Sequence, residues 1–135
     1  MADLLLFTGA HLEGVLALCE AEGWPSFPAD PERAMRVLTA PGVTTVVAVD
    51  QATVVGFAEV FSDGEIQAFL ANVAVDARHR GKGLGRELVV EALRLSGADR
   101  VDLLSEDGAV DFYESFPHLR KPGFRLHPFH QTDEE

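Results

Sequence analysis

Residues 73–86 combine glycines with basic side chains in an arrangement that suits anion binding. This segment reads VAVDARHRGKGLGR, so an apolar stretch leads into a loop with Gly81, Gly83 and Gly85, and a helix begins within that loop. Glycines allow backbone turns and close approaches that a Cβ would forbid. The unpaired N–H groups at the start of a helix carry a partial positive charge. Together these features predict a site for phosphate groups.

The charge of this segment is opposite to that of the whole chain, whose formal net charge is −11. Four of the 11 basic side chains fall within nine residues: Arg78, Arg80, Lys82 and Arg86. A bound polyanion explains this reversal more readily than solubility does. The alternative is a glycine-rich connection with a solvated basic face. The acidity elsewhere argues against non-specific binding to nucleic acid. It could attract a cationic substrate or simply keep the protein soluble.

Two familiar nucleotide-binding patterns are incomplete in this loop. The phosphate loop requires Gly-Lys followed by Ser or Thr, whereas Gly83 follows Gly81-Lys82 here. The dinucleotide fingerprint requires G-x-G-x-x-G, and the spacing here is G-x-G-x-G. That fingerprint also belongs to parallel βαβ units, whereas the strands of this chain look mostly like hairpins. A nucleotide-binding protein therefore stays only as an alternative.

The loop resembles the pyrophosphate loop of the GNAT superfamily of N-acetyltransferases. That family's motif is R/Q-x-x-G-x-G/A, which Arg80, Gly83 and Gly85 match. The resemblance implies that the loop's backbone amides hold the pyrophosphate of acetyl-CoA, the co-substrate, with Arg86 as a side-chain contact. It also implies that the pantetheine arm pairs with the strand before the loop. The predicted coenzyme-binding residues are Val73, Val75, Arg80, Gly81, Lys82, Gly83, Leu84, Gly85 and Arg86.

A second resemblance concerns the proton donor. Ala109–Tyr113 matches the A-x-x-F-Y of the family's last helix, in which the tyrosine commonly lies near the coenzyme sulfur. This implies that Tyr113 protonates the departing thiolate. The alternative is a structural tyrosine with its ring in the core and its hydroxyl at the surface. A non-catalytic acyl-CoA-binding module of the same fold would correspond to that alternative.

The general base is less well defined by the sequence. Glu59 and Glu65 lie in or beside the predicted central strands, and we take Glu59 as the candidate. Glutamate on a half-exposed strand is usually a surface residue, which is the alternative reading. A chain of water molecules could also remove the proton, with Gln67 and Asn72 as orienting groups.

The acceptor is expected to be a small-molecule or peptide amine. Trp24 and Phe27 lie in Gly23–Pro28, which two prolines and a glycine predict to be a loop. The resemblance implies that this region covers the acceptor site, where aromatic rings could pack on a carbon skeleton. Trp24 could equally fill the core from the loop. Homodimers are frequent in the family.

The elements that must position these residues follow from hydrophobic periodicity and turn signals. We predict an α/β (α+β) fold: a mixed, mostly antiparallel central sheet flanked by helices, as in the GNAT family. The last buried strand follows a helix and should pair in parallel with the strand before that helix. The predicted strands are Leu4–Thr8, Thr44–Val49, Thr53–Phe61, Ile66–Val75, Val101–Leu104 and Phe124–Leu126, and the predicted helices are Ala10–Glu22, Asp30–Thr39, Gly83–Ser96 and Gly108–Phe116.

Length and composition predict one domain over residues 1–130 and an acidic tail over residues 131–135. The apolar run Leu4–Phe7 is too short for a signal peptide or a membrane span, so a cytoplasmic, membrane-free protein is expected. The single cysteine, Cys19, allows no internal disulfide and is predicted to be a core thiol.

No metal site is expected. His127 and His130 have H-x-x-H spacing, but no third ligand accompanies them.

Overall fold

The computed structural model of the chain describes residues 1–129. The chain folds as two compact units, Met1–Asp102 and a second that begins at Leu103. The prediction of a single domain over residues 1–130 stays a prediction, and the predicted tail lies outside the described residues. No helix in the described part of the chain is long and apolar enough to cross a membrane. The cytoplasmic location and the homodimer also stay predictions.

The first unit holds one five-stranded sheet and four helices. Its strands are β1 (Asp3–Leu6), β2 (Val43–Asp50), β3 (Thr53–Ser62), β4 (Gln67–Val75) and β5 (Arg100–Asp102). Its helices are α1 (Leu12–Glu22), α2 (Ser26–Ala29), α3 (Pro31–Leu38) and α4 (Leu84–Ser96), with short 3-10 turns at Gly9–His11 and Ala77–His79.

The strands lie in the order β1-β2-β3-β4-β5. Neighbouring strands from β1 to β4 are antiparallel, and β5 pairs with β4 in parallel through Gln67–Phe69 and Arg100–Asp102. The mixed sheet and the parallel last strand confirm the predicted fold class. A long helical crossover, α4, separates β4 from β5, as a parallel pair requires.

Helices cover both faces of this sheet. The core of one face joins α1 and α3 to alternate strand residues: Val15, Leu18, Cys19, Leu38, Val47, Phe57 and Ala74. The opposite face receives α4, since a Cβ on Gly56, next to Phe57, would lie 2.8 Å from Leu88 Cδ1. Cys19 is buried and free, which confirms the predicted core thiol.

Local signals account for the element boundaries. The Asp30 carboxylate accepts a hydrogen bond from Arg33 N at 3.1 Å and caps α3, where Pro31 occupies the first position. Gly97 ends α4 in the left-handed conformation. In the β3–β4 turn, the Asp63 carboxylate accepts hydrogen bonds from the N–H groups of residues 65 to 67. These capping and turn residues are the ones the sequence indicated.

Two predictions of local structure are wrong. The one-turn helix α2 begins within the predicted loop Gly23–Pro28, because Pro25 precedes it with a helical φ of −86° and the ring of Pro28 favours the same region, and Asp30 then starts α3. In the second unit, α5 (Val110–Glu114) follows a 3-10 turn at Asp107–Ala109, and no strand forms at Phe124–Leu126. Pro122 and Pro128 flank that segment and lack the N–H groups that a strand ladder needs.

Candidate active site

The outer edge of β4 is the first feature of the site. β5 pairs only with Gln67–Phe69, so within residues 1–129 no strand pairs with that edge from Leu70 to Val75. Ala71 is an extra residue in β4, because Glu59 pairs with Asn72 while Val60 pairs with Leu70. Such a bulge bends a strand locally and redirects its side chains. The unpaired edge includes Val73 and Val75, the residues predicted to meet the pantetheine arm.

The glycine loop, defined as Arg80–Gly85, lies where β4 leads into α4. Gly81 and Gly83 have φ values of +77° and +85°, which side chains with a Cβ rarely adopt. A Cβ built on either residue would meet no atom within 4 Å, so the space beside the loop is open. Gly83 is the N-cap of α4 and provides no side-chain hydrogen bond to the first turn. The loop therefore combines an accessible backbone with a helix start whose N–H groups lack a side-chain cap.

Arg80 braces the loop with its side chain. Its Nε donates a hydrogen bond to the Val75 carbonyl at 3.0 Å, and its Nη2 donates to the Glu22 carboxylate at 2.6 Å. Glu22 is the last residue of α1, 58 positions earlier in the chain. The Arg80 guanidinium thus ties the loop to α1 and to the end of β4. Among residues 1–129, Lys82 has no ion-pair partner, so its ammonium is available to an anion.

His79 links the start of the loop to the β2–β3 hairpin. Its Nδ1 lies 3.1 Å from Asp76 Oδ2, and its Nε2 lies 3.2 Å from Asp50 Oδ2. The hydrogen bond with His79 is the main cause that lowers the pKa of Asp76. The sequence indicated only a polar loop residue here. No local signal could have identified Asp50 as a partner, because 29 residues separate it from His79.

Glu59 is buried in the sheet, with only 1% of its surface exposed. Its Oε1 accepts a hydrogen bond from Asn72 Nδ2 at 2.7 Å, whereas Oε2 is buried and has no hydrogen-bond partner within residues 1–129. Burial raises the pKa of Glu59, and the bond from Asn72 opposes that rise. The alternative of a surface glutamate is therefore wrong. A buried, half-satisfied carboxyl is costly to stability, and such costs concentrate at functional sites.

The other polar candidates of this region differ in environment. Gln67 lies at the start of β4, where its Oε1 accepts a hydrogen bond from Arg100 Nη2 at 3.2 Å, so it is not beside Glu59. Glu65 is exposed in the β3–β4 turn. Cys19 faces the core, and burial, aided by the charges of Glu59 and Glu22, raises the pKa of its thiol to about 11. A thiol with so high a pKa is a poor nucleophile at neutral pH.

Trp24 and Phe27 lie on the α1–α2 side of the first unit. Both are partly buried and pack against the core cluster that contains Val15, Phe57 and Ala74. Packing of this kind corresponds to the alternative in which Trp24 fills the core. The exposed parts of the two rings leave an acceptor contact as a prediction.

Tyr113 lies in α5 of the second unit and is half-buried. Its ring meets Phe112 edge to face, with centroids 4.9 Å apart and planes at 70°. Burial raises the pKa of Tyr113, and the charge of Glu106 adds to that rise. The phenol therefore keeps its proton at neutral pH, as a proton donor must.

Comparison with known proteins agrees with this architecture. The model of the acetyltransferase (GNAT) family matches residues 12–116, which include the glycine loop, most of the first unit and the start of the second. A candidate acetyltransferase from Deinococcus radiodurans shares 32% sequence identity and a TM-score of 0.73, covering 94% of this chain and 88% of that one. An aminoglycoside N-acetyltransferase solved with coenzyme A shares the fold at 17% identity, with a TM-score of 0.76 and 95% of each chain covered.

A curated relative extends the comparison. An uncharacterized N-acetyltransferase of Prochlorococcus marinus is 39% identical over 64 residues. The match covers 45% of this chain and 36% of the length of that relative. The family model spans well over half of the chain, and the Deinococcus structure exceeds 30% identity over most of its length. The chain therefore belongs to the GNAT family of acetyltransferases.

Proposed function

We propose that this protein is an N-acetyltransferase that transfers the acetyl group of acetyl-CoA to a primary amine, by direct attack in a ternary complex. The observation that carries the proposal is the glycine loop: Gly81 and Gly83 hold left-handed turns over open space and lead into α4 beside the unpaired edge of β4. Coenzyme binding needs both the loop and the strand edge. A pyrophosphate accepts hydrogen bonds from backbone N–H groups, and the amides of a pantetheine arm can form hydrogen bonds with an unpaired strand edge.

Acetyl-CoA fits these surroundings. The loop's backbone amides, with Lys82 and Arg86, would hold the pyrophosphate, while Val73 and Val75 would pair with the pantetheine arm. The structural neighbour solved with coenzyme A has the same fold, which supports acetyl-CoA as the co-substrate. When bound, the coenzyme supplies a thioester whose carbonyl carbon can accept an amine.

The reaction requires the protein to accept a proton from the amine, to stabilise charge on the carbonyl oxygen and to protonate the departing thiolate. An ammonium cannot attack, so a proton must first leave the amine. The neutral nitrogen then forms a C–N bond with the thioester carbonyl carbon, and negative charge develops on the carbonyl oxygen. A backbone N–H of β4, at Val73 or a neighbour, would stabilise that oxygen. The C–S bond breaks next: the nitrogen, which became positively charged in forming the C–N bond, gives up its second proton to water, and the coenzyme leaves as a thiolate that takes up a proton.

Glu59 is our candidate for the base. Its Oε2 has no hydrogen-bond partner in the described part of the chain, and burial raises its pKa toward the range in which a carboxylate can accept a proton at neutral pH. Because only 1% of Glu59 is exposed, the proton would reach it through a bound water. Asn72 would hold the carboxylate in place through its bond to Oε1.

Tyr113 is our candidate for the acid. Its pKa is raised by burial and by Glu106, so it can give a proton to the thiolate and take one back from solvent in the next cycle. The A-x-x-F-Y match supports this role. A structural tyrosine would fit the same pKa, so the role has to be tested by substitution.

Calorimetric titration of the folded protein with acetyl-CoA tests the coenzyme assignment, with ATP and NAD as controls. We expect stoichiometric binding of acetyl-CoA and none of comparable affinity for the controls. A preference for ATP or NAD would indicate instead that the chain is a nucleotide-binding protein. Absence of acetyl-CoA binding by the folded protein would remove the site.

Turnover separates an enzyme from a non-catalytic binding module. With a panel of amines, we expect acetyl transfer whose kcat falls in Tyr113→Phe while the Kd for acetyl-CoA is unchanged. That variant removes a hydroxyl and little volume. Transfer that is indifferent to the variant, alongside intact coenzyme binding, would assign Tyr113 a structural role.

A further inference from the structure

The sheet carries a second recessed surface at the end opposite the glycine loop. We call it the aromatic depression: it lies where β3 ends and β4 begins, and its volume is about 550 Å³. It is lined by Phe61 and Phe69, which we call its floor, and by Pro41–Val43, Asp63 and Asp102, which we call its rim. All of these residues belong to the first unit.

The floor is a pair of exposed phenyl rings. Phe61 and Phe69 are direct partners across β3 and β4, with centroids 6.3 Å apart and planes at 26°. They remain 41% and 37% exposed, although most strand residues on either side of them are buried. Stacked rings left open on a sheet face favour a ligand with an apolar skeleton, and ring faces also attract cations.

The rim is acidic. Three backbone hydrogen bonds, led by that from Ile66, lower the pKa of Asp63, so its carboxylate is charged at neutral pH. Asp102 is the partner of Phe69 across β4 and β5, and its Oδ2 lies 3.5 Å from Gln67 Nε2. One cation is nearby: Arg100 donates to Gln67 Oε1 and also acts on Asp63. Two carboxylates against one guanidinium leave the rim negative.

The depression shares a sheet face with Glu59. Side chains two residues apart on a strand point the same way, so Glu59 and Phe61 are on one face. The partners of these two residues, Asn72 and Phe69, are on that face as well. The extra residue Ala71 makes this possible, because without the bulge Phe69 and Asn72 would face opposite sides. One step of two residues along the strand, about 7 Å, separates the pair Glu59 and Asn72 from the two rings.

We infer that the acceptor is an aliphatic diamine or polyamine. This inference rests on the proposed function. One amine would lose its proton toward Glu59 and form the new C–N bond, the methylene chain would lie over Phe61 and Phe69, and a second ammonium would meet Asp63 and Asp102. The charged ends of such an acceptor are about 7 to 14 Å apart, which corresponds to one or two strand steps.

The test compares two amines of equal chain length, octamethylenediamine and octylamine. We expect kcat/KM for the diamine to exceed that for the monoamine by about fivefold, the gain of one exposed charge pair. Asp102→Asn should remove most of that advantage, because only the diamine has a second ammonium to meet the Asp102 carboxylate. Phe69→Ala should lower kcat/KM for both amines. Asp3→Asn, the same change on β1 at the other edge of the sheet, is the matched control and should alter neither.

Binding provides a readout that does not depend on turnover. In an NMR titration with octamethylenediamine, we expect the amide signals of Phe61 and Phe69 to shift, and to shift less in Asp102→Asn. Shifts without acetyl transfer would overturn the inference, because the diamine would bind without being an acceptor, whereas the proposed function would be overturned only if no amine of the panel were acetylated. Equal transfer to both amines, or transfer without shifts at these residues, would overturn the inference and keep the function. Neither transfer nor shifts would also overturn the inference, and the panel of amines would then decide the proposed function separately.

Discussion

The two ends of β4 carry two kinds of site. At its C-terminal end, the glycine loop and the start of α4 form a site from consecutive residues, and the ligand would be held mainly by backbone groups. From the middle of β4 to its N-terminal end, Glu59, Asn72 and the aromatic depression bring together side chains from four strands and the chain between α3 and β2. The first site has a sequence motif, and the second exists only once the sheet has formed.

This difference has a physical consequence for how each site fails. A backbone site depends on conformation, so replacing a glycine should damage it more than removing a charge. A side-chain site depends on the identity of a few groups, so a nearly isosteric replacement such as Glu to Gln can remove its chemistry while leaving its shape intact.

The largest effect should come from Glu59→Gln at the side-chain site. Loss of a general base typically lowers the rate by about 100-fold or more. We therefore expect kcat to fall by about that factor, with little change in the Kd for acetyl-CoA, measured by calorimetry. In the wild type, kcat should rise with pH as Glu59 ionises, and this rise should be absent from the variant. A variant with full activity would exclude Glu59 as the base.

The stability of the same variant separates a functional glutamate from a structural one. The pKa of Glu59 is raised in the folded state, so folding is favoured below the unfolded-state pKa, and that contribution is lost as pH rises through the folded-state pKa. Each unit of difference corresponds to about 1.4 kcal/mol. In urea unfolding, Glu59→Gln should thus have the same free energy of unfolding as the wild type in acid. As pH rises, the variant should become progressively more stable than the wild type. Destabilisation at all pH values would indicate that Glu59 is a structural residue.

The next largest effect should come from Gly83→Ala at the backbone site. The added methyl group would occupy open space beside the loop, where the pyrophosphate approaches, and would strain a φ of +85°. We expect acetyl-CoA to bind about 10- to 100-fold more weakly, which corresponds to one or two lost charge-assisted hydrogen bonds.

Gly64→Ala is the matched control for the loop variant. Gly64 has a φ of +82° and equally open space, but it lies in the β3–β4 turn. Both variants should lose about 1 kcal/mol of stability, the cost of a left-handed residue with a side chain. Only Gly83→Ala should lose coenzyme affinity. Equal affinities in the two variants would remove the glycine loop from the site.

The same contrast explains what the sequence could predict. The glycine loop, the Asp30 cap, the Asp63 turn and the parallel last strand are encoded by neighbouring residues or by chain order, and they were predictable. The sequence could not show that Glu59 is buried or that Phe61 stacks on Phe69, because both depend on strand register. The Ala71 bulge decides that register, and no local pattern marks it.

The local errors have a similar origin. Prolines in Gly23–Pro28 indicated a break in regular structure, but Pro also fits the first turn of a helix, which is how α2 forms. The apolar residues of Phe124–Leu126 resembled a strand, yet Phe124 and Leu126 are 79% and 78% exposed, and no strand forms there. Composition alone did not distinguish these outcomes.

The smallest predicted effect concerns the residue that connects the glycine loop with the rest of the sheet. His79 joins Asp76, next to the loop, to Asp50 at the end of β2. These groups are partly exposed and screened by solvent, so the bridge should contribute little to binding. We expect His79→Ala to weaken acetyl-CoA binding two- to fivefold and to leave kcat at saturation unchanged, because the bridge orients the loop and not the reacting groups.

A double-mutant cycle tests whether the bridge itself is responsible. Combining His79→Ala with Asp50→Asn should cost no more coenzyme affinity than either change alone, since each breaks the same contact. His11→Ala is the matched control: His11 accepts a hydrogen bond from Thr8 N at 3.0 Å in the turn before α1, so its loss should affect stability without affecting coenzyme affinity. Additive losses in the cycle would mean that His79 acts on the loop without Asp50. Coenzyme binding at the glycine loop would then not depend on the β2–β3 hairpin.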